Sequence, residues 1–463
     1  MTMWLPNLAS RPGPRYVALA EALAQDVASG MLAEGTRLPP QRDLAWRLGV
    51  TVGTVSRAFA LAAERGLITG EVGRGTYVRT RPAAVSRPDP VNDGGDADLI
   101  KLTVNAPPDP CYRTLLAEGL AELAGVGGLE GLFTYAPKPG FADHRAAAAL
   151  WIGRVGAEAS PEQIVITGGA HQAIVTVFAA LGRPGTPILV EALTYAGVYH
   201  VAERLGLSLQ GLPLDDEGLL PEAVDQAARA GQGRLLFINP TAHNPTTATM
   251  SMGRREAIVA AARKHDLIIV EDDVYGQLPE HRPPPVAALA PERTIYISSA
   301  SKSFAPGLRL GIIASPEPFQ QRIAEAQHDL FLTCPPLMAE LFRHWLGTGM
   351  ADRLAKRQRI EAAARQELAK GLLGAHDYRA QPTSYHLWLP LPPPWRTTTF
   401  TAALRERGVA VDPSSAFAFD PATAPHAVRI SLSAAASRER LARALTVVAE
   451  TLSAAPARRR DVI

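Results

Sequence analysis

Five short apolar runs recur between residues 163 and 297, each bounded by polar or turn residues. They are Gln163-Ile164-Val165-Ile166-Thr167, Pro187-Ile188-Leu189-Val190, Leu235-Leu236-Phe237-Ile238, Leu267-Ile268-Ile269-Val270 and Thr294-Ile295-Tyr296-Ile297. Helical stretches lie between them. Runs this short and this apolar suit strands buried on both faces of a mainly parallel α/β sheet. In such a sheet, functional groups belong just past the C-terminal ends of the strands.

The residues at those ends carry recognisable chemistry. After the first run comes Gly168-Gly169-Ala170-His171-Gln172 and then a helix, so small residues and a helix N-terminus meet where an anion could sit. A tight turn with no ligand explains the same residues. Tyr195 follows the second run and could lie flat on an aromatic ring, or simply pack. Asn244-Pro245 follows the third and could offer an amide to a phenolate-like oxygen, or form a proline turn. Glu271-Asp272-Asp273 follows the fourth. Three acids in a row usually form a solvated cluster, but here they end a buried-looking strand, where an Asp can bind a pyridinium N–H. The fifth run leads into SSASKSFAPGLRLG. The chain has six Lys against 41 Arg, and Lys302 is the one in this Ser-rich loop. A lysine there can form a Schiff base if its amine loses its proton. Ser299, Ser301 and Arg309 offer donors to a phosphate nearby.

These residues together resemble the fold type I pyridoxal-phosphate enzymes of the aspartate aminotransferase class. The resemblance spans nearly all of residues 99–450. It implies that Lys302 bonds to pyridoxal 5'-phosphate and that Asp272 pairs with the ring nitrogen. Asn244 and Tyr275 then meet the ring hydroxyl, and Tyr195 stacks on the ring. Gly169, Ala170, His171, Ser299, Ser301 and Arg309 surround the phosphate, which Tyr135, in FTYAPKPG, reaches from a partner subunit. Arg429, in VRISLS, is implied to bind the carboxylate of an amino acid effector. Two positions depart from the pattern: Thr247 stands where Gly is usual, and Ala170-His171 replaces the commoner Ser or Gln pairing.

Residues 1–82 differ from the rest. They hold ten Arg, no Lys and six acids, a local charge of +4 in a chain of net +2. Pro14 to Ser29 has helical apolar spacing with Gly30 as a stop. LPPQRDLAWRLGV gives a second helix ended by Gly49, Thr51 suits the N-cap of a third, and Gly66 ends that one. Leu67-Ile68-Thr69 and Thr76-Tyr77-Val78 read as short strands around Val72-Gly73-Arg74-Gly75. Two helices joined by a tight turn and followed by a two-stranded wing place the third helix in the DNA major groove. The segments SGMLAEGTRLPPQRDLAWRLGV, TVSRAF and ERGLITGEVGRGTYV resemble the GntR family of bacterial regulators. By position the family implies that Arg42, Thr51, Thr54, Ser56 and Arg57 face DNA and that Gly73, Arg74 and Gly75 form the wing tip. Val52 and Gly53 lack the Arg or hydroxyl side chains many relatives carry there.

A length of 463 residues predicts more than one domain. The expected bounds are a winged helix-turn-helix at 1–80, a Pro/Asp/Gly-rich linker at 81–98 and an aminotransferase-like effector domain at 99–463. Arg458, Arg459 and Arg460 are expected in a solvated tail. Cys111 and Cys334 make neither a disulfide framework nor a zinc site, and no metal is expected. Neither a signal peptide nor a membrane span is expected.

Joined, the halves resemble the MocR subfamily of GntR-type regulators over almost the whole chain. That resemblance implies a cytoplasmic, homodimeric, domain-swapped protein that binds double-stranded operator DNA. An amine or amino acid effector is expected to be sensed by external aldimine formation at Lys302. Two alternatives stay open: a regulator that senses pyridoxal phosphate itself, and a working aminotransferase with a DNA-binding tether.

Overall fold

The computed structural model describes residues 4–6, 14–28, 31–33, 35–64, 67–71, 75–78, 99–108, 112–127 and 129–454. The expected wing-tip residues Gly73 and Arg74, the linker 81–98 and the tail arginines lie outside these. The chain divides into two compact units, Met1–Asp89 and Pro90–Ile463.

In the first unit, helices α1 (Arg15–Ala28), α2 (Gln41–Leu48) and α3 (Val52–Glu64) precede a hairpin of β1 (Ile68–Glu71) and β2 (Gly75–Val78). Pro40 leads into α2 with φ −54°. Gly49, at φ +62°, ends α2 and turns its N–H back to the carbonyls of Ala45 and Trp46, a left-handed stop that favours glycine. Thr51 caps α3, its Oγ1 accepting the Thr54 N–H at 3.2 Å. One apolar core joins the three helices to the hairpin through Leu19, Leu23, Leu44, Val55, Phe59 and Ile68. The preceding segment pairs along the hairpin, with the Leu38 N–H donating to the Thr76 carbonyl at 2.8 Å.

The second unit is built on a seven-stranded sheet. Its strands are β4 (Ile164–Thr167), β5 (Ile188–Glu191), β6 (Leu209–Leu212), β7 (Leu235–Ile238), β8 (Ile268–Asp272), β9 (Thr294–Ser299) and β10 (Gly311–Ala314). They lie in the order β4-β10-β9-β8-β7-β5-β6. Alternate residues feed two layers: Phe237, Val270 and Ile297 pack on one side, Leu236, Ile238 and Ile269 on the other. That two-sided burial is why these runs are apolar throughout rather than alternating.

Two strands went unread in the sequence. β6 is only partly buried and reads LQGL, too weak a pattern to mark a strand. β10 is antiparallel to both β9 and β4, and its run continues directly from the Lys302 loop. A second sheet, also unread, contains β3 (Ile100–Leu102), β11 (His386–Pro390), β12 (Val409–Pro413) and β13 (Ala427–Ser431), in the order β11-β13-β12-β3. Among the described residues no helix is long and apolar enough to cross a membrane.

Leu44 is fully buried in the first unit's core. Leu44→Ala should destabilise that unit by about 2–5 kcal/mol, read as a lower midpoint in its urea unfolding transition.

Candidate functional site

The three consecutive acids at the end of β8 have three different fates. Glu271 accepts the N–H groups of Val286 and Ala287 at 3.0 and 2.8 Å. Asp273 is gripped by Arg282 at 2.6 Å and by the Tyr296 hydroxyl at 2.7 Å. Asp272 lies between them, buried, with its Oδ1 unpartnered. Burial, followed by the charge of Asp273, pushes its carboxyl up to about 7. The Val274 N–H bonds to this carboxyl, but a buried oxygen left without a partner is costly, and Oδ1 is free to accept a further donor. Asn239 fixes its backbone: Nδ2 donates to the Asp272 carbonyl at 2.5 Å while Oδ1 accepts the Asn244 N–H at 3.0 Å.

Lys302 stands past the end of β9. Its loop is closed at the base by the Ala300 N–H on the Leu310 carbonyl at 3.1 Å. Its Nζ donates to the Asn105 carbonyl at 2.6 Å and lies 5.9 Å from the centre of the Tyr275 ring. Burial first, then Arg429 and Arg309, depress the amine to about 8, with Asp272 opposing them. The lysine is therefore close to losing its proton near neutral pH. Tyr385 donates its hydroxyl to the Lys302 carbonyl at 2.5 Å.

Past β4, Gly169 adopts φ +108° and caps the helix Ala170–Leu181. A Cβ there would fall 2.6 Å from Arg309 Nη2, so glycine alone lets the guanidinium close over the helix N-terminus. Arg309 itself sits at φ +46°. Burial and Arg309 hold the His171 imidazole below its ordinary value, and its ring meets Tyr195 edge-on at 6.2 Å. Ser299 spends its hydroxyl inside the loop, on the Leu310 carbonyl at 2.9 Å and Ser301 Oγ at 3.0 Å. Tyr135 is 81% exposed and is not brought to this site within one chain.

Arg429 joins the second sheet to the site. Its Nη1 donates to Asn244 Oδ1 at 2.7 Å, and its Nη2 to Asp412 Oδ2 and to the Thr103 carbonyl, each at 2.5 Å. Phe417 lies 4.6 Å beneath the guanidinium, and Nε is buried without a partner. Asn105 Nδ2 donates to the Tyr275 hydroxyl at 2.9 Å and lies 3.0 Å from His386 Nδ1. Burial pushes the Tyr275 phenol up to about 12. The segment carrying Asn105 is held along its length: Ser431 Oγ donates to the Val104 carbonyl at 2.8 Å and Arg365 to that of Pro108 at 3.4 Å.

Asn105, Asn239, His386 and Asp412 were not singled out in the sequence. Asp412 carried the one usable signal, an acid inside the otherwise apolar run VAVDP. Thr247 is buried at φ +65°, a left-handed backbone that costs a β-branched residue on the order of 1–3 kcal/mol.

On the first unit, Arg42, Thr51, Ser56 and Arg57 are exposed and Thr54 is half-buried. The hydroxyls are partly engaged: Thr51 and Thr54 share a hydrogen bond at 2.9 Å, and Ser56 donates to Gln41 Oε1 at 2.6 Å. Gly75 opens β2. Among the described residues no cluster could hold a metal ion.

The family model for aminotransferase class I and II matches residues 97–448, and that for bacterial regulatory proteins of the gntR family matches residues 15–78. The HTH-type transcriptional regulator YdeF of Bacillus subtilis is 31% identical over 97% of this chain and 96% of its own length. The vitamin B6 salvage pathway transcriptional repressor PtsJ of Salmonella typhimurium is 28% identical over 89% of this chain and 93% of its own. Among solved structures, the alpha-aminoadipate aminotransferase LysN of Thermus thermophilus, complexed with N-(5'-phosphopyridoxyl)-L-leucine, aligns with a TM-score of 0.70 at 25% identity. It covers 77% of this chain and 92% of that one.

Reductive methylation of Lys302 by formaldehyde with cyanoborohydride as the hydride donor, followed by mass spectrometry of its peptide, should rise with pH around 8, because only the neutral amine attacks the aldehyde. Exposed lysines should rise near their ordinary value of about 10.4. Equal profiles would contradict the depressed amine.

Proposed function

We propose a function from the premise that this chain belongs to the class I and II aminotransferase family, with a gntR-family DNA-binding unit at its start, the layout of MocR-type regulators. It is a DNA-binding transcription regulator whose large unit holds pyridoxal phosphate and answers to an amine or amino acid. The observation that carries this reading is the pairing of a buried Asp272, whose Oδ1 has no partner, with a lysine whose amine burial depresses to about 8, at neighbouring strand ends.

The residues present fit pyridoxal phosphate, the cofactor of this fold family. Asp272 has a free oxygen for a protonated ring nitrogen, whose charge would keep the carboxylate ionised. The Gly169 turn, Ala170, His171, Ser301 and Arg309 would hold the phosphate, with Tyr135 of the partner subunit completing it in a homodimer. Ser299 would support the loop around them. Tyr195 would lie on the ring, and Asn244 and Tyr275 beside its hydroxyl. When bound, the cofactor supplies an electrophilic carbon that primary amines engage.

The chain's own groups do the rest. Lys302 gives or takes a proton near neutral pH. Arg429 presents a cation to the far end of an effector. Asn105 holds Tyr275 and His386 in register. The first unit presents α3 to the major groove, with Arg42 and Arg57 meeting phosphates. The name of PtsJ favours a second reading, in which the vitamer itself is the signal. Under it, apo and holo protein would differ on DNA with no amine present.

The test uses duplexes selected from a random pool by the holo protein. An effective amine should change their affinity for the wild type and leave Lys302→Ala unresponsive. A full response by Lys302→Ala would overturn the reading, and steady release of a keto acid would mark an enzyme instead. Arg57→Ala should weaken all duplexes alike and reduce the slope of log K against log salt by about 0.9, measured by fluorescence anisotropy.

A further inference from the structure

Arg429 is the cation that the preceding reading turns toward the effector, and its fork is occupied from within. β12 and β13 run antiparallel with Asp412 opposite Arg429, and side chains opposite one another on adjacent strands touch. Both residues are buried, at 5% and 7% exposure. Asp412 Oδ2 and the Thr103 carbonyl each accept from Nη2 at 2.5 Å, and Asn244 Oδ1 accepts from Nη1 at 2.7 Å.

A guanidinium grips a carboxylate through two parallel N–H bonds along one edge. Either such edge, Nη1 with Nη2 or Nε with Nη2, needs a hydrogen from Nη2. Both Nη2 hydrogens are engaged. Single donors remain: the buried Nε–H, which has no partner, and one hydrogen on Nη1. Charge points the same way. Asp412 and Arg429 neutralise each other, so a ligand carboxylate would arrive as a second anion in a site with little water to screen it. Burial already pushes the Asp412 carboxyl above its ordinary value while Arg429 pulls against it.

We propose that Asp412 sets the class of effector: it stands in for a ligand carboxylate on Arg429, so the site favours primary amines ending in a neutral acceptor, a carboxamide or hydroxyl, over amines ending in a free carboxylate. This rests on the reading that Arg429 faces the effector. It also makes Asp412 a specificity-determining residue that the cofactor-binding residues do not include.

The test uses propionate and propionamide, which carry no amine and so bind without engaging the cofactor or Lys302. Each is titrated into the pyridoxal-phosphate-loaded full-length protein and followed by ligand-observed NMR. The wild type should bind propionamide at least as tightly as propionate. Asp412→Asn keeps an acceptor for Arg429 but removes the charge, and should shift the ratio toward propionate by about 10-fold or more, the scale of one charge-assisted hydrogen bond. A wild type that prefers propionate 10-fold overturns the proposal without any variant, so a poorly folding Asp412→Asn cannot shelter it. An unchanged ratio in a folded variant, or no binding of either probe, overturns it too. The two readings fail separately. If amines still alter DNA affinity while the ratio stays fixed, Asp412 is structural only. If the ratio moves but no amine alters DNA affinity, the amine-sensing reading falls and the role of Asp412 stands.

Discussion

Strands β5, β7, β8 and β9 are buried on both faces, and a polar side chain along most of their length would lose water with nothing to replace it. Chemistry in this unit is therefore displaced to where the strands stop. Glu191, Asn239, Asp272 and Ser299 all stand at or just past such ends. Parallel pairing of β5, β7, β8 and β9 brings those ends to one edge of the sheet, so residues more than a hundred positions apart in sequence converge there. The second sheet adds what the first cannot, a cation on β13 and an acid on β12 that reach the same edge from another layer.

Once formed, the edge is stiffened by side chains that bond within the chain. Asn239 ties the end of β8 to the Asn244 loop through both ends of its amide. Ser299 closes the Lys302 loop on itself. Thr247, at φ +65° where the family pattern would have placed a glycine, donates its N–H to the His243 carbonyl at 2.7 Å, while the Ala248 carbonyl accepts the His243 N–H at 2.8 Å. A frame held this way, with Asp272 Oδ1 left without a partner, is well suited to receive a planar, protonated ring, because little of the frame has to reorganise when the ring arrives.

Much of this was legible in the residues. The five buried runs announced the parallel core, and the acids after Ile268–Val270 and the lysine after Thr294–Ile297 were readable because position after a strand is a local property. The three helices, the Gly49 stop and the hairpin strands of the first unit were legible for the same reason, while the expected stops at Gly30 and Gly66 lie outside the described residues. What escaped depends on distant pairing. Asp412 matters because it faces Arg429 across two strands, and Asn105 because Lys302 reaches its carbonyl across 197 positions of sequence. The three acids looked alike in sequence; only the placement of Val286, Ala287, Arg282 and Tyr296 shows that two are bonded at both oxygens while Asp272 keeps one free.

The backbone from Thr103 to Asn105 gives this edge a mechanical meaning. It lies a few residues after the chain leaves the stretch that connects the two units, and its carbonyls are held by Arg429 and Lys302. Two cations far along the chain, one past β9 and one on β13, thus grip the backbone of a single short segment, and that segment becomes a wall of the candidate site rather than a passage leading up to it.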